Sequence, residues 1–106
     1  MTDTDITLHG WTVDTTPGEG FVIVSTLIPF SDGDDGLHFF NAAGSTMPAA
    51  LRSLADQLGA AVKVMIWLCS PEDRTYDRVH DFVLHINEAA FEIEKATLEG
   101  YVRAAA

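Results

Sequence analysis

The chain has 106 residues, with 16 Asp or Glu against six Lys or Arg, and a formal charge of −10 at pH 7. This length fits one domain, residues 1–106, and the 47% hydrophobic content argues against intrinsic disorder. The single cysteine, Cys69, excludes an internal disulfide framework, and the acidic balance opposes direct binding to nucleic acid. Neither a membrane-spanning run nor a signal peptide is apparent, so the sequence predicts a cytoplasmic protein without a membrane partner.

Three antiparallel strands are predicted in the first 40 residues. Apolar residues alternate over 6–13, and their inward face shifts at Gly10 as it would at a β-bulge. A hairpin connection over 15–20 leads to 21–28, where a nearly continuous apolar run predicts a central strand covered on both faces. A turn rich in Asp and Gly then precedes a short third strand over 37–40.

A helix is predicted after the third strand, followed by a fourth strand. Ser45 or Thr46 can cap the helix, Pro48 is tolerated in its first turn, and Gly59 is predicted to end it. The apolar run over 62–69 then predicts another buried strand.

The last third of the chain supports two interpretations. One is a long helix over most of 71–104, and the other is a strand over 79–86 followed by a helix. The long helix is favoured because a polar stripe and an apolar stripe keep the helical phase along the segment. The β-branched residues of 79–86 keep the strand open as the alternative.

The predicted fold class is therefore α+β, in the order β-β-β-α-β-α. An antiparallel three-stranded meander and a fourth strand are covered by a short helix and a long C-terminal helix. A helix of about 34 residues spans roughly 50 Å, which is longer than a domain of this size needs. Two interpretations fit this length: a kinked helix that wraps its own sheet, or a homodimer formed through the long C-terminal helix, which we favour.

Charge is unevenly placed along the sequence. Residues 1–51 hold seven carboxylates and no Lys or Arg, whereas the other nine acidic residues share their segment with all six basic residues. A meander brings the N-terminus and the second turn to one edge of the sheet. Two interpretations fit the resulting cluster: a solvated turn, or a docking face for a basic protein surface, including one that normally binds nucleic acid. The five predicted partner-binding residues are Asp3, Asp5, Asp32, Asp34 and Asp35.

No motif for catalysis, a metal ion or another cofactor stands out. The acidic turn departs from a calcium-binding loop, because Leu37 replaces the required Gly and Ala43 the closing Glu. Glu94 falls on the apolar arc of the last helix, where extension to solvent is the commonest role, and pairing across a dimer or marking a site are the alternatives. A small-ligand module or small enzyme would have to use side chains beside the sheet, namely His38, Cys69, His80 or His85.

These observations predict a non-catalytic acidic binding protein. In size and charge the chain resembles the small acidic inhibitors, immunity proteins and anti-defence proteins of phages and mobile elements, some of which are nucleic-acid mimics. That resemblance implies docking on a basic protein surface. The ligand module or small enzyme remains the alternative.

Overall fold

The structure is a computed structural model that describes residues 6–29, 36–68 and 73–105. It has the predicted α+β class, with two antiparallel sheets and two helices in the described residues. The elements in chain order are β1 (Thr7–Leu8), β2 (Trp11–Thr12), β3 (Asp14–Gly18), β4 (Phe21–Ile28), β5 (His38–Gly44), α1 (Met47–Leu68) and α2 (Thr75–Ala105).

The bulge predicted at Gly10 is instead the turn of a small hairpin. Leu8 pairs with Trp11, so only two residues connect β1 to β2. Both have positive φ, 57° at His9 and 82° at Gly10, which is the requirement of a type I′ turn. The change of inward face seen in the sequence therefore marks a reversal of chain direction.

The larger sheet is an antiparallel meander in the order β3-β4-β5. The segment predicted as the first hairpin connection, 15–20, lies mostly in β3, and only Glu19 and Gly20 form the turn. Pro17 is tolerated because β3 is an edge strand. The third predicted strand is longer than expected, since β5 continues to Gly44.

Helix α1 begins as predicted but continues past its predicted end. The Ala49 amide donates to the Thr46 hydroxyl at 3.3 Å, which identifies Thr46 as the cap. The helix then passes through Gly59 to Leu68, so the strand predicted over 62–69 is helical throughout its described residues. Ala61, Val62 and Met65 are buried at helical spacing, while the apolar residues between them are exposed. Apart from Lys63 this run is apolar, and a short run of that kind does not reveal its period.

The long C-terminal helix is confirmed, and the strand alternative over 79–86 is wrong. Helix α2 is 31 residues long, or about 46 Å. Asp73 precedes it, and its carboxylate accepts a hydrogen bond from the Thr75 amide at 2.9 Å. Residues 79–86 are helical despite their β-branched side chains because Val79, Phe82 and Ile86 pack together in one fully buried stripe.

The hydrophobic core lies between the sheet and the helices. Helix α1 packs on β4 and β5, and α2 packs on α1. The small hairpin closes the core, because Trp11 meets Phe82 edge to face with ring centroids 5.7 Å apart. A buried hydroxyl is satisfied as well, since Thr26 donates to the Thr12 carbonyl at 2.9 Å. The helices therefore cover one face of the sheet and leave the other open.

Candidate protein interface

The uncovered face of the larger sheet carries large apolar side chains. Successive side chains of a strand point to opposite faces, and the inward set of β4 includes the buried Val24, Thr26 and Ile28. Leu27 is 47% exposed and Phe39 is 61% exposed, so β4 is not covered on both faces as predicted. Strand register places the following residues on the outer face: Phe21, Ile23, Ser25 and Leu27 of β4, and Phe39, Asn41 and Ala43 of β5.

Two cross-strand pairs shape this outer face. Leu27 and Phe39 are direct partners in the register of β4 and β5, so their side chains lie next to each other. Phe21 is the partner of Gly18 across β3 and β4, and a Cβ added at Gly18 would lie 2.3 Å from the ring. The ring therefore lies over the glycine and extends the apolar surface onto the edge strand.

The charged groups around this face are acidic. Asp14 pairs with Ser25 in the sheet register and shares its outward face, and Glu19 lies in the turn between β3 and β4. Both are exposed, and neither forms a salt bridge within the described part of the chain. Since residues 1–51 contain no Lys or Arg, the sheet layer has no cation of its own to neutralise them.

All five predicted partner-binding residues, Asp3, Asp5, Asp32, Asp34 and Asp35, lie outside the described residues. The chain next to them is described. The Ile6 carbonyl accepts a hydrogen bond from the Val13 amide at 3.0 Å, and Ile28 pairs with His38. Because β3 begins where β4 ends and β5 begins, the segments before Ile6 and between β4 and β5 join the sheet at one end. This topology agrees with the premise of the predicted cluster, whose side chains remain a prediction.

The described cations lie in the helix layer, and two of them pair there. Arg52 of α1 holds Glu94 of α2 through both carboxylate oxygens, with its Nε 3.4 Å from Oε2. Glu94 is thus paired within its own chain and neither extends alone to solvent nor needs a second chain. The hydrogen bond lowers the pKa of Glu94 below its usual value and raises that of Arg52. Arg74 pairs with Asp77 at 2.9 Å.

The three histidines of the alternative function lie on different parts of the described structure. His38 is exposed at the start of β5, His80 lies on α2, and His85 is half-buried farther along that helix. Cys69 lies outside the described residues. In the part of the chain that the structure describes, no three His, Cys, Asp or Glu side chains are grouped to hold a metal ion.

Two clefts lie on the helix layer. One, of about 510 Å³, runs between α1 and α2 and is lined by Asp56, Lys63, His80 and Asn87 among smaller side chains. The other, of about 350 Å³, lies where the start of α1 meets the second half of α2 and includes Thr46, Glu94 and Thr97. Each contains polar groups, but neither brings together more than one of the four residues expected for ligand chemistry.

Sequence reasoning missed the exposed aromatic and aliphatic side chains. The sequence runs that contain Phe21, Leu27 and Phe39 have the pattern of buried strands. These exposed residues could have been identified by counting the helices available to cover the sheet. Two helices packed against each other and against one face leave nothing for the second face.

No protein-family model matches the chain, and no curated protein and no solved structure matches it either. Within the described residues, neither helix combines the length and apolar content that crossing a membrane requires.

Proposed function

We propose that this chain is a non-catalytic acidic binding protein whose sheet layer docks on a basic surface of another protein. The observation that carries the proposal is a set of large exposed apolar side chains on the open sheet face, in a layer without Lys or Arg. Leu27 and Phe39 lie on one side of the polar row formed by Ser25 and Asn41, and Phe21 lies on the other side. Exposed apolar groups beside polar ones are typical of a protein interface, and the charged groups here are acidic, at Asp14 and Glu19.

The negative charge of the first 51 residues favours a partner with a basic surface. The first 51 residues carry seven negative charges and no positive ones, or −7, whereas residues 52–106 carry nine negative and six positive charges, or −3. A field of one sign speeds association with an oppositely charged surface and disfavours partners of the same charge. A protein that grips nucleic-acid phosphates has such a basic surface. Inhibition of that kind of protein, by an immunity, anti-defence or nucleic-acid-mimic mechanism, is the activity we propose.

The exposed apolar side chains supply the short-range part of binding. Large side chains at the middle of an interface contribute most of its free energy, whereas charges on the rim mainly affect the association rate. Leu27 and Phe39 are the first candidates for this role because they are large, exposed and cross-strand partners, and Phe21 offers a second exposed ring at the other end of β4. The aspartates predicted near the same end of the sheet, Asp32, Asp34 and Asp35, would provide steering.

Affinity capture from cells of the source organism, with the full chain as bait, tests this function. We expect a captured protein with a basic surface whose binding weakens steeply with NaCl, because salt screens charges beyond about 8 Å at physiological ionic strength. Replacing Leu27 and Phe39 by Thr should abolish capture, since Thr suits a strand but removes the apolar surface.

Two variants with the same change in net charge distinguish the contribution of the sheet layer to binding from that of the helix layer. Changing Asp32, Asp34 and Asp35 to Asn brings the net charge from −10 to −7, and we expect weaker binding at low salt. The control makes the same change in charge on the helix layer, at the exposed Asp56, Glu92 and Glu99, and should bind normally. Binding that is indifferent to salt, or equally weakened by both variants, would contradict docking through the sheet layer.

The ligand-module alternative rests on the cleft between α1 and α2, whose size lies in the range of small-molecule sites. Of its four expected residues, only His80 lines that cleft. A ligand that binds there would raise the melting temperature of the wild-type protein but not of a His80→Ala variant.

A further inference from the structure

Helix α2 carries two apolar stripes on opposite sides. The inner stripe includes Val79, Phe82 and Ile86 and is fully buried in the core. The outer stripe consists of Leu84, Phe91 and Leu98, which are 55%, 56% and 63% exposed. These three residues are seven positions apart, and Glu88 and Lys95 fall between them on the same side. Steps of 100° per residue place the outer stripe about 150° from the inner one.

The second half of α2 is an extension of the helix pair that borders the start of α1. Residues 94–100 are all exposed, although Glu94, Thr97 and Leu98 line a cleft with the start of α1. The chain measures 55 × 25 × 22 Å, and its radius of gyration is 15.4 Å, compared with about 13 Å for a compact domain of this length. All three residues of the outer stripe are more than half exposed.

We infer that the outer stripe of α2 binds the same stripe of a second copy in an antiparallel homodimer. A two-fold axis at Phe91 places it against the partner's Phe91 and places Leu84 against the partner's Leu98. The spacing of seven residues on either side of Phe91 makes the stripe complementary to itself in this orientation, as an isologous interface requires. This inference concerns the helix layer and does not depend on the proposed function of the sheet.

The charges between the apolar residues favour the same arrangement. In the antiparallel pair, the partner's Lys95 faces Asn87, and Glu88 is the next residue, about 1.5 Å farther along the helix axis. The two-fold symmetry produces the same contact between Lys95 and the partner's Glu88. A parallel pair would instead place Glu88 beside the partner's Glu88 and Lys95 beside the partner's Lys95. Opposite charges at such flanking positions determine orientation in paired helices.

The charge of the two layers explains why a second copy fits the helices and not the sheet. Two sheet layers of −7 would repel each other, whereas the helix layer holds all six Lys and Arg and totals −3. Asp77, Asp81, Glu92 and Glu99 also lie on the exposed side of α2. Asp77 lies in line with the stripe, seven residues before Leu84 and beyond the contact of Leu84 with the partner's Leu98, and the other three flank the stripe in contact with water.

A second exposed apolar group lies where the partner helix would end. Val64, Ile66, Trp67 and Leu68 are all exposed at the end of α1, with Trp67 88% exposed. Ile66 lines the same cleft as His80 near the start of α2. When the partner's Leu98 lies against Leu84, the residues that follow it in the partner's helix lie beside the start of α2 and the end of α1. The antiparallel pair therefore covers the second half of α2 in one copy and the end of α1 in the other.

Sedimentation velocity on the full chain at increasing concentration tests the dimer. We expect the wild type to dimerise and Phe91→Glu to raise the dissociation constant about 30-fold or more, because it removes the central apolar contact from both copies. Ala96→Glu is the matched control, since Ala96 is exposed on the same helix but off the stripe, and it should dimerise normally. Unchanged circular dichroism in both variants shows that the fold is kept.

A charge exchange tests orientation. Glu88→Lys alone and Lys95→Glu alone should each weaken the dimer, whereas the double variant should restore it because every facing pair is again of opposite sign. A monomeric wild type at high micromolar concentration would overturn the inference. So would a dimer that is insensitive to Phe91→Glu, since it would use another face, and a double variant weaker than both single variants.

Discussion

Arg52 and Glu94 connect the two helices at a position where the sequence had left several roles open for the acid. Glu94 sits on the apolar arc of α2, and the structure brings the Arg52 guanidinium to both oxygens of its carboxylate. The groups are about half exposed, so the pair adds little to stability. Its value is geometric, because two parallel hydrogen bonds fix how the helices meet.

The pH dependence of this pair is the first prediction. The hydrogen bond from Arg52 lowers the pKa of Glu94, so the pair contributes stability above the ordinary pKa of Glu and loses it as the pH falls through the lowered pKa. Carbon-detected NMR of the Glu94 carboxyl should show a titration midpoint below the usual range. Arg52→Gln should raise that midpoint, and Arg74→Gln should leave it unchanged. A midpoint that does not respond to Arg52→Gln would show that the pair does not form in solution.

Two glycines near or within helix α1 have opposite effects on packing, although the sequence alone would place both at a helix end. Gly44 lies at the end of β5, and a Cβ there would be 2.6 Å from the Ala50 amide nitrogen. Gly59 is inside α1, and a Cβ there would meet nothing within 4 Å. The first glycine permits close packing of strand and helix, while the second only weakens the helix.

Alanine substitutions should therefore change stability in opposite directions. Gly59→Ala should stabilise the protein by about 0.5–1 kcal/mol, because it removes backbone freedom from the unfolded chain without a clash. Gly44→Ala should destabilise it by about 1–3 kcal/mol, as overpacking against backbone does. Urea unfolding measures both. If Gly59→Ala were the more damaging change, α1 would not be continuous through that residue.

The elements show why part of the fold could be predicted and part could not. The C-terminal helix follows from phase, since its buried stripe repeats over more than three turns and outweighs the β-branched residues. The second half of α1 gives no such phase, because Val64, Ile66 and Trp67 are apolar and exposed. The sequence shows that those residues are hydrophobic but not whether another element covers them. The same holds for Leu27 and Phe39 on the sheet.

The acidic site is limited in a different way. Counting residues is enough to show that the first 51 lack Lys and Arg, but the five predicted aspartates lie outside the described residues. Whether a helix-layer cation reaches them depends on tertiary packing. Helical spacing favours the pair of Arg74 with Asp77, which are three residues apart, whereas the pair of Arg52 with Glu94 joins two helices and follows from no spacing rule.

At the scale of the whole molecule, the fold separates two kinds of surface. Residues 1–51, which include the sheet, carry seven acids and no Lys or Arg, and residues 52–106 carry nine acids and all six Lys and Arg. The described part of each layer exposes large apolar side chains, on the open sheet face and along the outer stripe of α2. The two proposals made above assign one of these surfaces to a basic protein and the other to a second copy, and the two surfaces do not overlap.

This separation predicts how salt affects stability. Unneutralised acids in the sheet layer repel one another, and salt screens that repulsion. Raising NaCl from 0.05 to 1 M at fixed protein concentration should therefore raise the melting temperature by about 5 °C, equivalent to about 1 kcal/mol for a domain of this size. Asp14→Asn with Glu19→Gln, which removes two unpaired acids, should raise the melting temperature at low salt and reduce the response to NaCl. Asp77→Asn with Glu94→Gln makes the same change in net charge but removes two ion pairs, and should lower it. Equal responses from the two variants would mean that net charge alone sets the salt dependence, and that the sheet layer is not a distinct centre of repulsion.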